Sequence, residues 1–415
     1  MRGRSRDPES VFTPKAIVSR EMFARRNEPD LSGKPGVQDV LRDALKERGG
    51  QVLVYGDTGV GKSSLLRYAA EDEHMKSVTI ECLSSASYEE LIDAGIRKLV
   101  DVREDRRTAS GSVGSSLEGS ASRLLLSIKG SIKAEYGKTR HFEVIAKPPL
   151  DTLISAMTTA GVSLLVFDNF QNVTAARSKL LIAQTMEFMS DRADGTNDIK
   201  TVIVGIAEDA SGLLGGAGSF VRRTNEVGVP RMPDDEIKGI LSTGFGLLSL
   251  HVDAAELNAM TFYADGFPFF AHVVGLHAAR EARRRQVDTV GHTLVEASLL
   301  RVAQAVERSL ADRLAQAFEA GGDIQPRRRV LLLLAKSGQR EWRSLDVTSA
   351  YASTYEARED YAFLHVALAQ LTDRKYGSVL LRRGTRGRFV YRFADPHIRP
   401  YLRINGAMAA DAGKA

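Results

Sequence analysis

The chain has 415 residues, of which 43% are apolar and 26% charged, with a formal net charge of +5. That length suggests two or three domains with real cores, and no stretch has the roughly 18 uninterrupted apolar residues of a membrane helix. The basic start, Met1–Arg6, is not followed by an apolar segment, and Cys82 is the only cysteine, so the sequence argues against a signal peptide, excludes an internal disulfide and suggests a cytoplasmic protein.

Residues 1–36 read as a polar lead-in. A helix is expected over Val37–Arg48, with Val37, Val40, Leu41, Ala44 and Leu45 on one face. Gly49-Gly50 ends it, and Gln51–Tyr55 follows as a short buried strand. A glycine loop and a helix from Lys62 to about Ala70 come next, then a strand over Ser77–Ile80. Cys82 reads as a small buried side chain. Residues 103–147 include the run Thr108–Ser116, rich in Gly and Ser, and are treated as an insertion.

Regular structure resumes with a helix near 150–160. The apolar run Val162–Phe167 is a buried strand ending at Asp168. A helix near 178–193 leads to a strand over Thr201–Val204. Strands alternating with helices define an α/β class with a parallel sheet and flanking crossover helices. From Pro233 the pattern is helical: 234–241, 254–264, 268–284 and 294–317. After Gly321-Gly322 come helices at 327–337 and 362–374, then two strands, 378–382 and 389–393, around an arginine-rich turn. Helices followed by a hairpin with a basic tip describe a winged-helix-like domain. The expected organisation is therefore a lead-in at 1–36, a core at 37–232, a helical lid at 233–320, the winged-helix-like domain at 321–404 and a flexible tail at 405–415.

Residues Gly56, Asp57, Thr58, Gly59, Val60, Gly61, Lys62 and Ser63 fit G-x-x-x-x-G-K-[ST] at every fixed position, with Ser64 next in the helix. A strand before and a helix after supply the context that a phosphate-binding loop requires. Its backbone N–H groups wrap phosphate oxygens and the helix N-terminus favours their charge. Lys62 is expected on the β- and γ-phosphates of ATP, and the Ser63 hydroxyl on Mg²⁺. Asp168 is the expected second magnesium partner. Asn169 stands where many such ATPases carry a Glu that polarises water. An amide can orient water but cannot act as a base, so hydrolysis is expected to be slow or to draw its base from elsewhere. Glu208 is a candidate.

Several segments, taken in order, make the chain resemble the AAA+/STAND group of P-loop ATPases, nearest to origin-recognition-like bacterial members. Phe23-Ala-Arg-Arg26 resembles the F-x-G-R element, with Arg26 at its arginine and Arg25 in place of glycine. Val204–Glu208 resembles the sensor-1 segment. Ser219–Arg223 and Glu226–Met232 resemble the stretch around an arginine finger, which Arg222 or Arg223 would supply across a subunit contact. Asp265-Gly-Phe-Pro268 resembles the G-x-P element opening the lid helix. No lid arginine stands in the sensor-2 place; His272 is a weak substitute. The resemblance implies an ATP-dependent switch and a possible homo-oligomer on ATP binding.

From Asp323 to Arg403 there are 16 Lys/Arg and 8 Asp/Glu. Such a basic module suits an acidic partner, DNA first, held through 375–403. Arg382, Arg383, Arg386 and Arg388 cluster at the expected wing tip. Tyr391 and Phe393 alternate with Arg392 and read as core. The leading reading is an ATP-driven, DNA-associated switch. The alternatives are a signalling STAND ATPase that assembles protein partners without DNA, and a nucleotide-binding scaffold with little hydrolysis.

Overall fold

The computed structural model describes residues 6–29, 33–84, 86–109, 149–193, 198–207, 213, 223–304, 308–318, 325–355, 360–385 and 388–412. Glu208, Arg222, Arg386 and most of the expected insertion at 103–147 lie outside them. The chain divides into two compact units. One comprises residues 27–56 and 65–228. The other comprises residues 1–26, 57–64 and 229–415. A one-turn helix in the lead-in, α1 (Pro8–Val11), belongs to the latter.

The 27–228 unit is built on α2 (Val37–Lys46), β1 (Gln51–Tyr55), α3 (Lys62–Asp72), β2 (Ser77–Glu81), α4 (Tyr88–Ala109), α5 (Pro149–Ala160), β3 (Leu164–Asp168), α6 (Ala176–Asp191), β4 (Lys200–Gly205) and β5 (Thr224–Gly228). Its five described strands are all parallel, in the order β2-β3-β4-β1-β5. The apolar runs of β1, β3 and β4 are buried on both faces, as parallel strands covered by crossover helices must be. Leu153, Met157, Ile182 and Met186 of the helices pack with Leu165, Phe167 and Ile203 of the sheet.

Three sequence expectations change here. In α2, Val40 is 37% exposed, while Gln38 is buried and donates to Asp72 Oδ2 at 3.1 Å. The buried face is thus set by a polar anchor as well as by the apolar stripe. Helix α4 is continuous through Ala109, past the expected start of the insertion at 103. Strand β5 did not stand out, because only Val227 of Thr224–Gly228 is buried.

The other unit continues with β6 (His251–Val252) and β7 (Thr289–Val290), which pair in parallel within an otherwise helical stretch: α7 (Asp234–Leu247), α8 (Ala254–Ala264), α9 (Pro268–Arg285), α10 (His292–Gln304) and α11 (Arg308–Phe318). The expected helix 294–317 coincides with α10 and α11, and residues 305–307 between them lie outside the described residues. The C-terminal module is α12 (Pro326–Lys336), β8 (Trp342–Arg343), α13 (Ser344–Thr354), α14 (Ala362–Leu371), β9 (Leu380–Arg383), β10 (Val390–Phe393) and α15 (Ile398–Ala412). Strands β9 and β10 form an antiparallel hairpin, and β8 joins the far edge of β10. Tyr391 and Phe393 face the core with Trp342, Leu334 and Leu368. The expected flexible tail at 405–415 is helical as far as Ala412. Among the described residues no helix is long and apolar enough to cross a membrane.

Candidate functional site

The loop after β1 has the backbone that its glycines permit. Gly59 and Gly61 have φ of 79° and 91°, values that side chains with a Cβ rarely adopt. Val60 between them is buried. Lys62 opens α3, and its Nζ donates to the Asp57 carbonyl at 2.7 Å. Lys62, Ser63 and Ser64 thus begin a helix, and the positive end of a helix dipole favours an anion.

Residues 57–64 are surrounded by partners from their own unit. The Phe269 N–H at the start of α9 donates to the Gly59 carbonyl at 3.4 Å. Pro268 stands against Gly61; a Cβ there would meet its Cγ at 3.6 Å. His397 Nε2 lies 3.3 Å from the Thr58 carbonyl, and its ring is boxed by Phe267, Phe269 and Phe270. Asp57 receives Arg231 Nε at 3.3 Å, and Arg231 Nη1 meets Asp265 Oδ2 at 2.5 Å. Asp265 Oδ1 accepts from Arg403 Nη1 at 3.0 Å and lies 3.4 Å from Arg399 Nη1. The Asp265 side chain is only 8% exposed. Burial pulls the Arg399 guanidinium down to about 10, partly opposed by Asp265. Arg399 and Arg403 also donate to the carbonyls of Ala335 and Ser337. Sequence reading missed this chain of charges, whose members are far apart along the polypeptide.

Arg26 is buried. It donates to Glu236 Oε2 at 3.0 Å and to the Pro230 carbonyl at 3.1 Å, so it anchors the lead-in. His272, the weak sensor-2 substitute, is 2% exposed and accepts from the Thr13 N–H at 3.1 Å. Burial lowers its pKa to about 4. It too secures the lead-in.

In the 27–228 unit, Asp168 ends β3, half-buried, and its Oδ1 accepts the Asn169 N–H at 2.8 Å. Asn169 is exposed and left-handed, with φ 56°. Its Nδ2 donates to Glu81 Oε2 at 3.0 Å. Glu81 ends β2 and is in register with Asp168. The signal for Glu81 was available: like Asp168, it is an acid delivered by an apolar strand. Cys82 is buried and its thiol is pushed up to about 12 by burial, then by Asp168 and Glu81, which makes it an inert packing residue. Arg223, one of the two finger candidates, is exposed and ion-paired with Asp191 on α6.

A Gly-Lys-Ser loop running from a parallel strand into a helix, with an acid closing a strand of the same sheet, defines a P-loop nucleotide-binding protein. Residues 45–214 match the family model described as an AAA domain, so this segment is an AAA-type P-loop ATPase domain. A comparison with curated proteins finds no match by sequence. Among solved structures, a Walker-type ATPase of Pyrococcus abyssi is 18% identical with a TM-score of 0.53, covering 95% of this chain and 99% of that one. The ORC2 protein of Aeropyrum pernix is 14% identical with a TM-score of 0.47, covering 95% and 98%. The ORC1 protein of the same organism, solved in complex with DNA, is 12% identical with a TM-score of 0.45, covering 98% of each chain.

Proposed function

We propose that the chain is an ATP-dependent switch whose nucleotide state is passed to its C-terminal module. One observation carries this reading. The phosphate loop, at Asp57, Thr58 and Gly59, is bonded to Arg231, to the start of α9 and to His397 of the C-terminal segment. A loop that rearranges around phosphates acts directly on those contacts. Lys62 is the expected phosphate ligand, and Ser63 with Asp168 the expected magnesium ligands. Pro268 is the expected edge of the base pocket, and Arg222 or Arg223 the donor to a neighbouring copy. The test is nucleotide binding by a fluorescent ATP analogue with Mg²⁺. Lys62→Ala removes a charge-assisted contact to phosphate, so affinity should fall roughly 100-fold, about 2–3 kcal/mol. An unchanged affinity sinks the nucleotide reading.

The C-terminal module is read as a winged helix that holds DNA by its hairpin. Arg382, Arg383 and Arg388 on the hairpin and Arg374 and Lys375 just before it are all exposed. Phosphate contacts of this kind give affinity that falls steeply with salt. If the three hairpin arginines each touch a phosphate, replacing all three by Ala should reduce the slope of log K against log salt by about 3. The exposed face of α14 supports a second reading. Ala362, His365, Val366 and Ala369 lie on it with no Lys or Arg, a face better suited to a protein partner than to base edges. Failure of the intact protein to bind duplex DNA at low salt would favour that signalling role.

A further inference from the structure

Four arginines are buried among the described residues: Arg26, Arg327, Arg399 and Arg403. Burying a guanidinium is costly unless it is paired. Arg26 reaches Glu236, and Arg399 and Arg403 reach Asp265. Arg327, 4% exposed, reaches no carboxylate among the described residues. Its Nε is sealed from water without a hydrogen-bond partner. Its guanidinium lies instead over the Tyr376 ring, 4.2 Å from the centroid. Lys375 Nζ stands 5.6 Å from the centroid of the same ring. One ring therefore carries two cations.

The local sequence adds to the imbalance. Arg327 belongs to the run Pro326-Arg-Arg-Arg329, the first turn of α12, which has no acidic residue. Cations at a helix N-terminus oppose the helix dipole, and three in succession repel one another. Gln325, the N-cap residue, makes no side-chain cap. Its Oε1 accepts Arg328 Nη1 instead, at 3.3 Å. Through Tyr376 this turn meets the one-turn helix Arg374–Tyr376, whose Arg374 and Lys375 are exposed, as is Arg328. The adjacent acid in the chain is Asp373, and its Oδ1 accepts the Lys375 backbone N–H at 2.8 Å. All of these residues lie in one compact unit. The missing member of the cluster is an anion. Guanidinium forks and an ammonium group match the oxygens of a phosphate.

We propose that the start of α12 and the turn at 374–376 form a binding site for a phosphate group, held by Arg327, Arg328, Arg374 and Lys375, and that a nucleic-acid backbone supplies the phosphate. The choice of source rests on the reading of the C-terminal hairpin as a DNA contact. The turn leads into β9, which carries Arg382 and Arg383 at its far end, so the site and the hairpin arginines are served by one strand. A phosphate here brings acceptor oxygens to a fork that Tyr376 already holds in place, and it puts negative charge where the helix dipole favours it. Tyr376 positions the fork, and the arginines and the lysine supply the charge.

The test uses the full chain. Trp342 is the only tryptophan and lies in the core of the same module, so its emission follows the unfolding of that module. Inorganic phosphate at about ten times its dissociation constant, compared with chloride at equal ionic strength, should raise the thermal midpoint by about 3 °C. Arg327→Met keeps an apolar contact with the Tyr376 ring and removes the unpaired charge. Its midpoint in chloride should rise by about 2 °C, and phosphate should no longer shift it. Arg374→Ala with Lys375→Ala removes exposed charges only, so it should roughly halve the phosphate shift and leave the midpoint in chloride unchanged. With duplex DNA, Arg327→Met should lower affinity about 10-fold and reduce the slope of log K against log salt by about 1. A phosphate-specific shift that is absent from the wild type, or retained in Arg327→Met, overturns the site. So does a lower midpoint for Arg327→Met in chloride, which would make the arginine a structural support. A shift that depends on Arg327 in a protein that ignores duplex DNA overturns the nucleic-acid source together with the hairpin reading and leaves the phosphate site standing. Duplex binding that weakens when the hairpin arginines are replaced but not in Arg327→Met overturns the nucleic-acid source alone.

Discussion

Two regions of the molecule differ in kind. Around residues 57–64 the interactions are charged and mutually dependent: Asp57 at an exposed end and the largely buried Arg231, Asp265, Arg399 and Arg403 form one chain. At the carboxyl edge of the sheet, Glu81, Asn169 and Gln171 are linked mainly through neutral amides, and Glu81 and Asn169 lie open to water. A buried charge depends on every partner, because water cannot replace one that is lost. An exposed amide contact can exchange with water at little cost. The first region therefore depends on each of its members, and the second tolerates replacement of a partner.

The largest effect expected from this contrast is at Asp265. Asp265→Asn keeps the shape and the left-handed backbone, φ 52°, which Asn tolerates. It leaves Arg231, Arg399 and Arg403 without their common counter-charge. Removing one member of a buried pair costs about 3–5 kcal/mol, so urea unfolding should show a loss in that range. The parallel change Asp57→Asn acts on a side chain 37% exposed and should cost under about 1 kcal/mol. Equal losses at the two positions would break the distinction between the hub and its exposed end.

The next effect is smaller and depends on pH. His272 is buried against Phe12, with ring centroids 5.9 Å apart, and accepts the Thr13 N–H. Its pKa is lowered to about 4 by burial, against an ordinary value of 6.5. Above pH 6.5 the ring is neutral whether folded or unfolded and stability is unaffected. Below it the unfolded chain takes up the proton first, so stability falls as pH drops from 6.5 towards 4. The two values place the loss near 2 kcal/mol at pH 5. Stability measured at pH 7 and pH 5 in the wild type and in His272→Gln, which cannot titrate, isolates the contribution. Hydrogen exchange should open first in residues 8–22, because this ring holds the lead-in.

These regions were unequally legible in the sequence. Strand β1, its loop and α3 were readable because an apolar run, a glycine pattern and a lysine are contiguous. Strand β3 with Asp168 was readable for the same reason. Strand β5 was not, since Thr-Asn-Glu-Val-Gly buries one residue firmly at the sheet edge. Helix α15 contains Pro400 and Gly406, which read as breakers, although Pro400 lies in the first turn, where its missing N–H is harmless. Helix α13, Ser-Leu-Asp-Val-Thr-Ser-Ala-Tyr-Ala-Ser-Thr, has only Val347 and Tyr351 buried, four residues apart, too sparse a stripe to show a period. The charge chain was invisible because Arg231 and Asp265 are separated by 34 positions, and nothing in one sequence pairs two such residues. Asn169 was legible as a departure, but its partner Glu81, on another strand, became apparent only with the register of β2 and β3.

The smallest effect on stability is expected at that sheet edge, and it gives the contrast its sharpest form. Asn169→Asp keeps the left-handed conformation, which Asp also tolerates. It removes the donor to Glu81 and places a carboxylate beside Glu81 and Asp168. Both 169 and 81 are exposed, so water can hydrate the new charge and salt can screen it. At about 0.15 M salt, where the Debye length is about 8 Å, the change in unfolding free energy should stay within about 0.5 kcal/mol. It should grow as salt is lowered, because like charges repel. Measured beside Asp265→Asn in the same urea titrations, it compares an exposed addition of charge with a buried removal. A loss above about 2 kcal/mol at 169 would mean that the edge is as tightly coupled as the hub. A near-neutral result would mean that the sheet edge tolerates a change of charge that the buried hub does not.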